Sequence, residues 1–447
     1  MTNPSTHELA RFLAERRWFG AKDRTVAAAT LADQAPLPEA DATLACVHVQ
    51  FADGDHADYQ LPLARAPADP GAAALGDHAD ALAVPAFRQR IARAFAGGES
   101  FTGHECRWSF EPLADLSDLA DAPTHLADAD QSNSSILYGE RAILKFYRRL
   151  EPGENPDVEL GKYLAAAKFT GTPAILGVAR LHDEGGTSVT AMLQTFVPGA
   201  IDGWSHVLAR LRAGADLTAD LTALGGLTRE LHDVLAASDD PAFAPEPTLE
   251  DDLTRWRLAA AAQARAALTT LGERQHALPA SVLPEVAHAL AHVGSQIANL
   301  PAPASADGLG PRTRHHGDYH LGQLLRTQTG WQILDFEGEP ARPLAERRMK
   351  HHPLRDVAGM LRSFAYAAAV ATPDDPAKAE RSMRAAFLAG YDPTLPADPH
   401  RAALLALFVA EKRYYELAYE LGHRPAWVWI PLTGLGSDPR RLTAERE

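Results

Sequence analysis

Residues 315–337 constrain this chain more than any other segment. They read HHGDYHLGQ from His315 to Gln323 and, after a short turn, WQILDFE from Trp331 to Glu337. The β-like runs 323–327 and 331–336 flank residues 328–330, and a three-residue loop would bring Gln323 opposite Asp335, about 5 Å apart at Cβ. An amide oxygen and a carboxylate placed in this way could share one Mg²⁺ ion, which prefers hard oxygen ligands. Asp318 then lies in the preceding loop, free to accept a proton from an attacking hydroxyl.

This register depends on the loop, because a two- or four-residue loop would separate Gln323 from Asp335. Taken singly, the histidines at 315, 316 and 320 read as surface polar residues and Asp335 as a strand cap. A zinc site is a further alternative, but suitable spacing for a third or fourth ligand is not evident in the sequence. The combination of an aspartate, an amide five residues later and Asp-Phe on the paired strand is typical of protein-kinase-like phosphotransferases.

A kinase of this type also needs a lysine that anchors phosphates and a carboxylate that orients it. Lys145 lies in an apolar strand predicted over 142–147, where an ammonium is costly unless it is paired. Asn155-Pro156 is a good helix start, and Glu159 in the first turn is a candidate partner for Lys145. A structural ion pair without a role in catalysis explains the same pattern equally well.

Two further segments predict nucleotide contacts. Residues 131–135, with Ser134 and Ser135, could cradle phosphates through backbone amides and hydroxyls. No Walker-type G-x-x-x-x-G-K-[ST] sequence occurs in the chain, which excludes a Walker-type ATPase. Residues 192–198, with Gln194 and Val197, are expected at a hinge between lobes that contacts the adenine of ATP.

The pattern divides the chain into three zones: 1–90, a small α+β unit; 91–198, with strands near 135–137, 142–147 and 189–196; and 199–447, mainly helical. Helices are predicted over 84–96, 157–168, 253–271, 281–297, 356–370 and 402–421. Pro198-Gly199 is the predicted connector. We therefore expect a two-lobed α+β protein, and ligands favour the cleft in such an architecture.

The amino-acid composition argues against some classes of binding partner. The 447 residues carry 43 basic and 58 acidic side chains, a net charge of -15, which argues against nucleic acid or an anionic membrane as the main partner. Two cysteines cannot build a disulfide framework or a four-thiolate zinc site. Neither a signal-peptide pattern nor an apolar run of about 18 residues is seen, so a cytoplasmic setting is expected.

Taken in order, these segments resemble the maltokinase family, within the superfamily of aminoglycoside phosphotransferases and protein kinases. The resemblance covers nearly the whole chain. It is carried by residues 17–22, 131–135, 148–159, 192–198, 202–204, 317–323, 333–340, 343–347, 353–360, 415–416, 424–425 and 430–432.

The resemblance implies a bilobal protein-kinase-like fold of α+β class, with an additional N-terminal α/β cap and a mainly helical C-lobe. It implies phosphorylation of maltose by ATP at the anomeric hydroxyl, giving maltose 1-phosphate for α-glucan synthesis. Matched by motif, Asp318 is the base, Gln323 and Asp335 bind Mg²⁺, Lys145 holds phosphates and Glu159 orients Lys145. Members of the family are sometimes fused to trehalose synthase or work beside it, and no such fused domain is expected in this chain.

The sugar site is predicted from helical spacing. In the helix expected over 402–421, Lys412, Glu416 and Glu420 share one face, with Tyr419 beside them. Charged and aromatic groups on one face could bind sugar hydroxyls, although a solvent-exposed row of ion pairs would look the same. His316 and His320, next to Asp318, are further candidate sugar ligands.

Three alternatives stay open. The acceptor could be another sugar such as glucosamine, or an aminoglycoside, because the superfamily shares the Asp318 loop. A nucleotide-binding pseudokinase that serves as a scaffold is disfavoured, because the base, the lysine and both metal ligands are all present. Residues Trp18–Lys22 could cover the cleft, but a buried anchor that ties the cap to the next domain is favoured.

Overall fold

The structure, a computed structural model, describes residues 3–65, 74–127, 133–339, 342–372, 375–433 and 435. The chain forms two compact units, Met1–Pro198 and Gly199–Glu447, which divide at Pro198-Gly199. Strands dominate the first unit and helices the second. The predicted α+β class with a mainly helical C-terminal part is confirmed.

The first unit contains two antiparallel sheets. The first sheet has the order β12-β3-β2-β4-β6-β5, with β1 also paired to β2, and the second has the order β7-β8-β13-β14-β11-β10-β9. The strands are β1 (Val26–Leu37), β2 (Ala42–Phe51), β3 (His56–Gln60), β4 (Leu63–Arg65), β5 (Ala74–Leu75), β6 (His78–Asp80), β7 (Ser100–Thr102), β8 (Arg107–Pro112), β9 (Thr124–Leu126), β10 (Asn133–Tyr138), β11 (Ala142–Tyr147), β12 (Arg149–Leu150), β13 (Ile175–Asp183) and β14 (Gly186–Thr195). The helices are α1 (Thr6–Glu15), α2 (Pro85–Gly97) and α3 (Pro156–Ala166).

The strand that carries Lys145 forms where the apolar run over residues 142–147 predicts it. β11 pairs with β10 on one side and with β14 on the other, so that Lys145 is opposite both Ser135 and Met192. Its neighbours Leu144 and Phe146 are buried in the core. Directly opposite residues in an antiparallel pair lie on the same face, and Ser135 and Lys145 therefore share a face of the sheet.

Aromatic residues near the amino terminus pack inside the first unit. Trp18 and Phe19 are buried against Tyr59 of β3, with ring centroids 6.2 and 5.1 Å apart. The guanidinium of Arg148, just after β11, lies 4.6 Å from the Trp18 ring. These contacts agree with the interpretation of this segment as a buried anchor.

The second unit is built mainly from helices. They are α4 (Gly203–Arg212), α5 (Thr218–Leu235), α6 (Glu250–Arg274), α7 (Leu283–Ala291), α8 (Val293–Ala298), α9 (Leu344–Arg347), α10 (Leu354–Ala371), α11 (Pro376–Tyr391), α12 (Pro399–His423) and α13 (Trp429–Leu432). Short strands pair as β15 (Ile201–Asp202), β18 (Leu324–Arg326) and β19 (Trp331–Ile333) in one sheet, and as β16 (Glu246–Pro247) and β17 (Pro311–Arg312) in another. The single helix predicted over 281–297 is interrupted: α7 ends at Ala291 and α8 begins at Val293.

Helix α10 is the buried centre of the second unit and packs against α4, α11 and α12. Fourteen of its 18 residues are buried, which explains its near-continuous apolar sequence. A Cβ atom at Gly359 would lie 2.6 Å from the backbone oxygen of Tyr319. This glycine therefore lets α10 approach the loop that carries Asp318. Among the described residues, no helix is long and apolar enough to cross a membrane.

Candidate active site

In the first unit, Lys145 is paired with a carboxylate from α3. Its Nζ atom lies 3.0 Å from Oδ2 of Asp157, and the hydroxyl of Tyr147 donates to the same oxygen at 3.1 Å. The Asp157 side chain is 1% exposed and that of Lys145 is 17% exposed. Asn155 caps α3 by accepting from the Asp157 amide at 2.8 Å. The predicted type of partner is present, but the carboxylate seen on Lys145 is Asp157, and the role assigned to Glu159 stays a prediction.

The two predicted phosphate-contact serines differ in their surroundings. Ser134 is 1% exposed, and its hydroxyl accepts a hydrogen bond from Nε of Arg148 at 2.8 Å. Its side chain is thus engaged in the interior, and its predicted contact with a phosphate stays a prediction. Ser135 lies half-buried opposite Lys145. The predicted cradle also includes residues 131–132, which lie outside the described residues.

The predicted hinge follows the central strand of the same sheet. Gln194, near the end of β14, is half-buried and pairs with Ile143 of β11. Val197 follows the strand and is also half-buried. Both positions therefore leave part of the side chain accessible, and their contact with a nucleotide stays a prediction.

In the second unit, a buried carboxylate on α10 holds the Asp318 loop in place. Asp356 accepts hydrogen bonds from the amides of His316 and Gly317 at 2.8 and 2.9 Å, and it lies 3.1 Å from Nε2 of His232. Burial by itself would raise the pKa of the Asp356 carboxyl, but the His315 and His232 rings outweigh burial and lower that pKa well below its usual range. Asp356 is therefore an ionised anchor for the backbone just before Asp318.

The predicted register of the metal-binding hairpin is off by one residue. Leu324 pairs with Ile333 and Arg326 with Trp331, so the loop has four residues, 327–330. The oxygen of Gln323 accepts from the amide of Leu334 at 2.9 Å. Gln323 therefore lies beside Leu334 and not opposite Asp335.

The two proposed metal-binding segments are nevertheless adjacent. Asp335 follows the end of β19 in a left-handed backbone conformation, with φ of +64°, which is uncommon outside glycine and turns the chain away from strand geometry. His316 ties this segment to the Asp318 loop, because its Nε2 atom lies 2.8 Å from the oxygen of Leu334. An amide and a carboxylate are the hard oxygen donors that suit Mg²⁺.

Asp318 faces a lysine from α12. Nζ of Lys412 lies 3.6 Å from Oδ1 of Asp318 and 2.8 Å from Oε1 of Glu339. His320 lies on the other side, with its Nε2 atom 3.8 Å from Oδ2 of Asp318. Burial lowers the pKa of His320 from its usual value. Asp318 therefore combines partial exposure with a neighbouring cation, and its role as the base stays a prediction.

A cavity of about 490 Å³ opens beside Asp318 within the second unit. This is within the range of roughly 300–1,000 Å³ that is usual for ligand pockets. Its charged lining comprises seven Lys and Arg side chains against five Asp and Glu side chains. Burial lowers the pKa of two further lining residues, His315 to about 4 and His351 well below its usual value, so both rings are neutral at pH 7.

Of the residues predicted for the sugar, Lys412 lines this cavity. Glu416 instead pairs with Arg362 at 2.7 Å, and Glu420, 1% exposed, bonds Tyr366 and Arg424. Both carboxylates are thus engaged in contacts with α10, and their predicted contact with a sugar stays a prediction. Tyr419 is 41% exposed and stacks on His423.

The two predicted histidines also separate. His316 is 1% exposed and its Nε2 atom lies 2.8 Å from the oxygen of Leu334, and its predicted contact with a sugar stays a prediction. His320, beside Asp318, has a side chain that is 41% exposed. Its contact with a sugar stays a prediction.

Part of the cavity lining was not predicted from the sequence, namely Trp256, His351, Arg355 and Glu411. There Arg355 of α10 donates to Glu411 of α12 at 2.9 Å and to the ring of His351, which stacks on Trp256 at 4.9 Å. The available signal was a carboxylate, Glu411, directly before Lys412.

Comparisons with known proteins relate both units to sugar kinases. Residues 121–405 match the phosphotransferase enzyme family, and residues 12–84 match the maltokinase N-terminal cap domain. The glucosamine kinase of Mycolicibacterium smegmatis is 30% identical over 324 residues, which are 68% of this chain and 76% of that protein. The glucosamine kinase of Streptacidiphilus jiangxiensis is also 30% identical over 324 residues, covering 68% and 70%.

The fold has a counterpart among solved structures. A glucosamine kinase in complex with glucosamine, ADP and inorganic phosphate is similar with a TM-score of 0.65 and 23% identity, covering 95% of this chain and 98% of that one. A second crystal form gives a TM-score of 0.67 at the same identity and coverage. The chain therefore shares a fold with these kinases over nearly its full length.

Proposed function

Because the chain belongs to the phosphotransferase enzyme family, we propose that it transfers the γ-phosphoryl group of ATP to the anomeric hydroxyl of maltose. The product would be maltose 1-phosphate, a feedstock for α-glucan (glycogen) synthesis. The observation that carries this proposal is the position of Asp318 on the wall of a cavity of about 490 Å³ with a surplus of cationic groups. The match of residues 12–84 to the maltokinase cap domain supports the same acceptor.

The chemistry needs few groups. The acceptor hydroxyl gives its proton to Asp318 as its oxygen forms a bond to the γ-phosphorus, and the bond between that phosphorus and the β–γ bridging oxygen breaks to release ADP. Lys145, fixed by Asp157 and Tyr147, would hold the nucleotide phosphates. Most of the rate enhancement would come from positioning and charge neutralisation.

Gln323 and Asp335 offer the donors that Mg²⁺ prefers, and they fit the ion in chemical type. When bound, Mg²⁺ neutralises phosphate charge. Gln323 is held by the contact of its backbone with Leu334, and Asp335 follows directly. The two residues therefore lie in adjacent backbone segments, which supports the proposal that they share the ion.

A second acceptor, glucosamine, is suggested by the names of the relatives at 30% identity. The lining charges favour a neutral sugar over a cationic amino sugar, because an ammonium group would enter a pocket in which cations already outnumber carboxylates. The lining carboxylates Glu339 and Glu411 are already paired with Lys412 and Arg355. An amino sugar that paired with either of these carboxylates would compete with the cation already bound to it.

The test is ADP release with Mg-ATP and a panel of maltose, glucose, glucosamine, trehalose, maltotriose and kanamycin, with phosphorus NMR of the product. We expect maltose to dominate and to carry an anomeric phosphate. Turnover with glucosamine alone would overturn the maltose assignment and leave the kinase chemistry. ATP binding without transfer to any acceptor would instead support a pseudokinase.

We also propose that the protein is cytoplasmic and that it associates with trehalose synthase, beside which members of the family that it resembles sometimes work. Co-purification of the two proteins at defined concentration tests it, and the absence of complex formation would restrict the link to a shared metabolite.

A further inference from the structure

Lys412 is shared unequally between two carboxylates. Its Nζ atom lies 2.8 Å from Glu339, within hydrogen-bond distance, but 3.6 Å from Asp318, which is too far for a good hydrogen bond. The side chain of Glu339 is 14% exposed and is held in turn by Arg342 at 2.7 Å. A lysine on a flexible stem could close on Asp318, but Glu339 and Arg342 hold it back.

The surrounding charges agree with this assignment. Burial alone would lower the pKa of Lys412, but Glu339 and then Asp318 raise it above its usual range. Burial would raise the pKa of Glu339, but Lys412 and Arg342 lower it to about 2. Both groups are therefore ionised at pH 7.

Other titratable groups lie nearby. His320 approaches Asp318, and the charges of Asp335 and His316 also affect the pKa of His320. The ring of Tyr415 lies 4.7 Å from Nζ of Lys412. Glu346 and Glu411 face Arg342, on the far side of Glu339. Among the described residues, Asp318 forms salt bridges with Lys412 and His320, and not with Tyr415, Glu346 or Glu411.

We propose that Glu339 is a positioning residue that holds Lys412 off Asp318, so that Lys412 does not form a hydrogen-bonded ion pair with the carboxylate that accepts the proton. The inference rests on the proposed function, in which Asp318 accepts the hydroxyl proton. A hydrogen-bonded ion pair with Lys412 would leave Asp318 a weaker base.

Replacing Lys412 and replacing Glu339 should shift the pH profile of kcat/KM in opposite directions. Lys412→Met removes the cation and leaves Asp318 near a second carboxylate, so the acidic limb of the kcat/KM profile should move up by about one pH unit or more. Glu339→Gln removes the second carboxylate and frees Lys412 to close on Asp318. The acidic limb should then move down, and kcat on the plateau should fall several-fold because the base is weaker.

The experiment measures kcat/KM against pH for the full chain with the best acceptor of the panel, for both variants, the double variant and Lys378→Met. Lys378 is exposed near the start of α11, so its change matches the loss of charge, and we expect a profile like that of the wild type. The double variant should lie between the two single variants. Shifts of the same sign, or equal losses of rate without a shift, would overturn the proposal.

A second measurement does not depend on the acceptor. With ¹³C-labelled aspartate carboxyl groups and Asp318→Asn for assignment, NMR titration reads the pKa of Asp318 directly. We expect it to rise in Lys412→Met and to fall in Glu339→Gln. If no sugar of the panel is phosphorylated but these shifts occur, the proposed function fails and the positioning role stands; if the titration of Asp318 is the same in all variants, the positioning role fails whatever the acceptor.

Discussion

Replacement of Asp356 by asparagine should damage activity without touching any group at the reacting atoms. Both carboxylate oxygens of Asp356 accept hydrogen bonds, one from the Gly317 amide and the other from the His316 amide and His232. Asparagine supplies one acceptor oxygen and one NH₂ group. Whichever way the amide is turned, an NH₂ group faces a backbone N–H, and a donor is left unsatisfied in a site that is 2% exposed.

The magnitude follows from that arrangement. A hydrogen bond to a charged group is worth about 1.5–3 kcal/mol, and an unsatisfied buried donor costs about 1–3 kcal/mol. We expect Asp356→Asn to lower the free energy of unfolding by about 3–5 kcal/mol. The loop shift that relieves the clash moves Asp318, and a misplacement of about 1 Å costs on the order of 100-fold in kcat.

The assay combines urea denaturation with steady-state kinetics at pH 7.5. The matched control is Asp33→Asn, because Asp33 in β1 also accepts several backbone N–H groups, from His104, Glu105 and Cys106. The control should lose stability and keep kcat for the remaining folded enzyme. Wild-type kcat in Asp356→Asn, at a temperature where it is folded, would refute the reasoning.

Three further outcomes are expected. Asp318→Asn should abolish phosphoryl transfer and leave ATP binding largely intact, and turnover near that of the wild type would remove Asp318 as the base. Asp335→Ala should weaken nucleotide binding only when Mg²⁺ is present, as measured by calorimetry with and without the ion. Burial would raise the pKa of Asp33, but the backbone N–H groups lower it to about 2, so its contribution of about 2 kcal/mol is present above pH 4 and is lost as the pH falls towards 2; denaturation midpoints of wild type and Asp33→Asn should converge there.

Local patterns predicted the elements that carry the chemistry. The apolar run at residues 142–147 predicted β11 with Lys145 inside it, and the Asn155-Pro156 pair located the start of α3. These features depend on neighbours in sequence. The partner of Lys145 was less accessible, because Asp157 and Glu159 both lie in the first turn of α3 and sequence spacing alone does not tell which carboxylate meets the lysine.

The hairpin register failed for a local reason that the sequence does not display. Thr327 closes the loop with its own side chain, accepting from the amides of Thr329 and Gly330 at 3.2 and 3.1 Å. This produces a four-residue turn where three residues were expected. Gln323 also ends a 3₁₀ turn, Leu321–Gln323, and is not part of β18, so strand counting does not extend to it.

Helical periodicity alone does not determine which neighbours the side chains of α12 contact. Lys412, Glu416 and Glu420 share a face, but periodicity does not tell which neighbour that face meets. On α10, Arg362 and Tyr366 are also four residues apart, and they bind Glu416 and Glu420 respectively. Two matched i,i+4 pairs therefore lock α12 onto α10.

These two contacts between α12 and α10 also restrict the position of Lys412. Because Glu416 and Glu420 fasten α12 to α10, Lys412 one turn earlier is carried by a helix that cannot rotate freely. Asp356, which holds the Asp318 loop, belongs to the same helix α10. Asp318 and the lysine beside it are thus both held by contacts with α10, and a change at Arg362 should disturb the distance between Asp318 and Lys412 although Arg362 does not line the cavity.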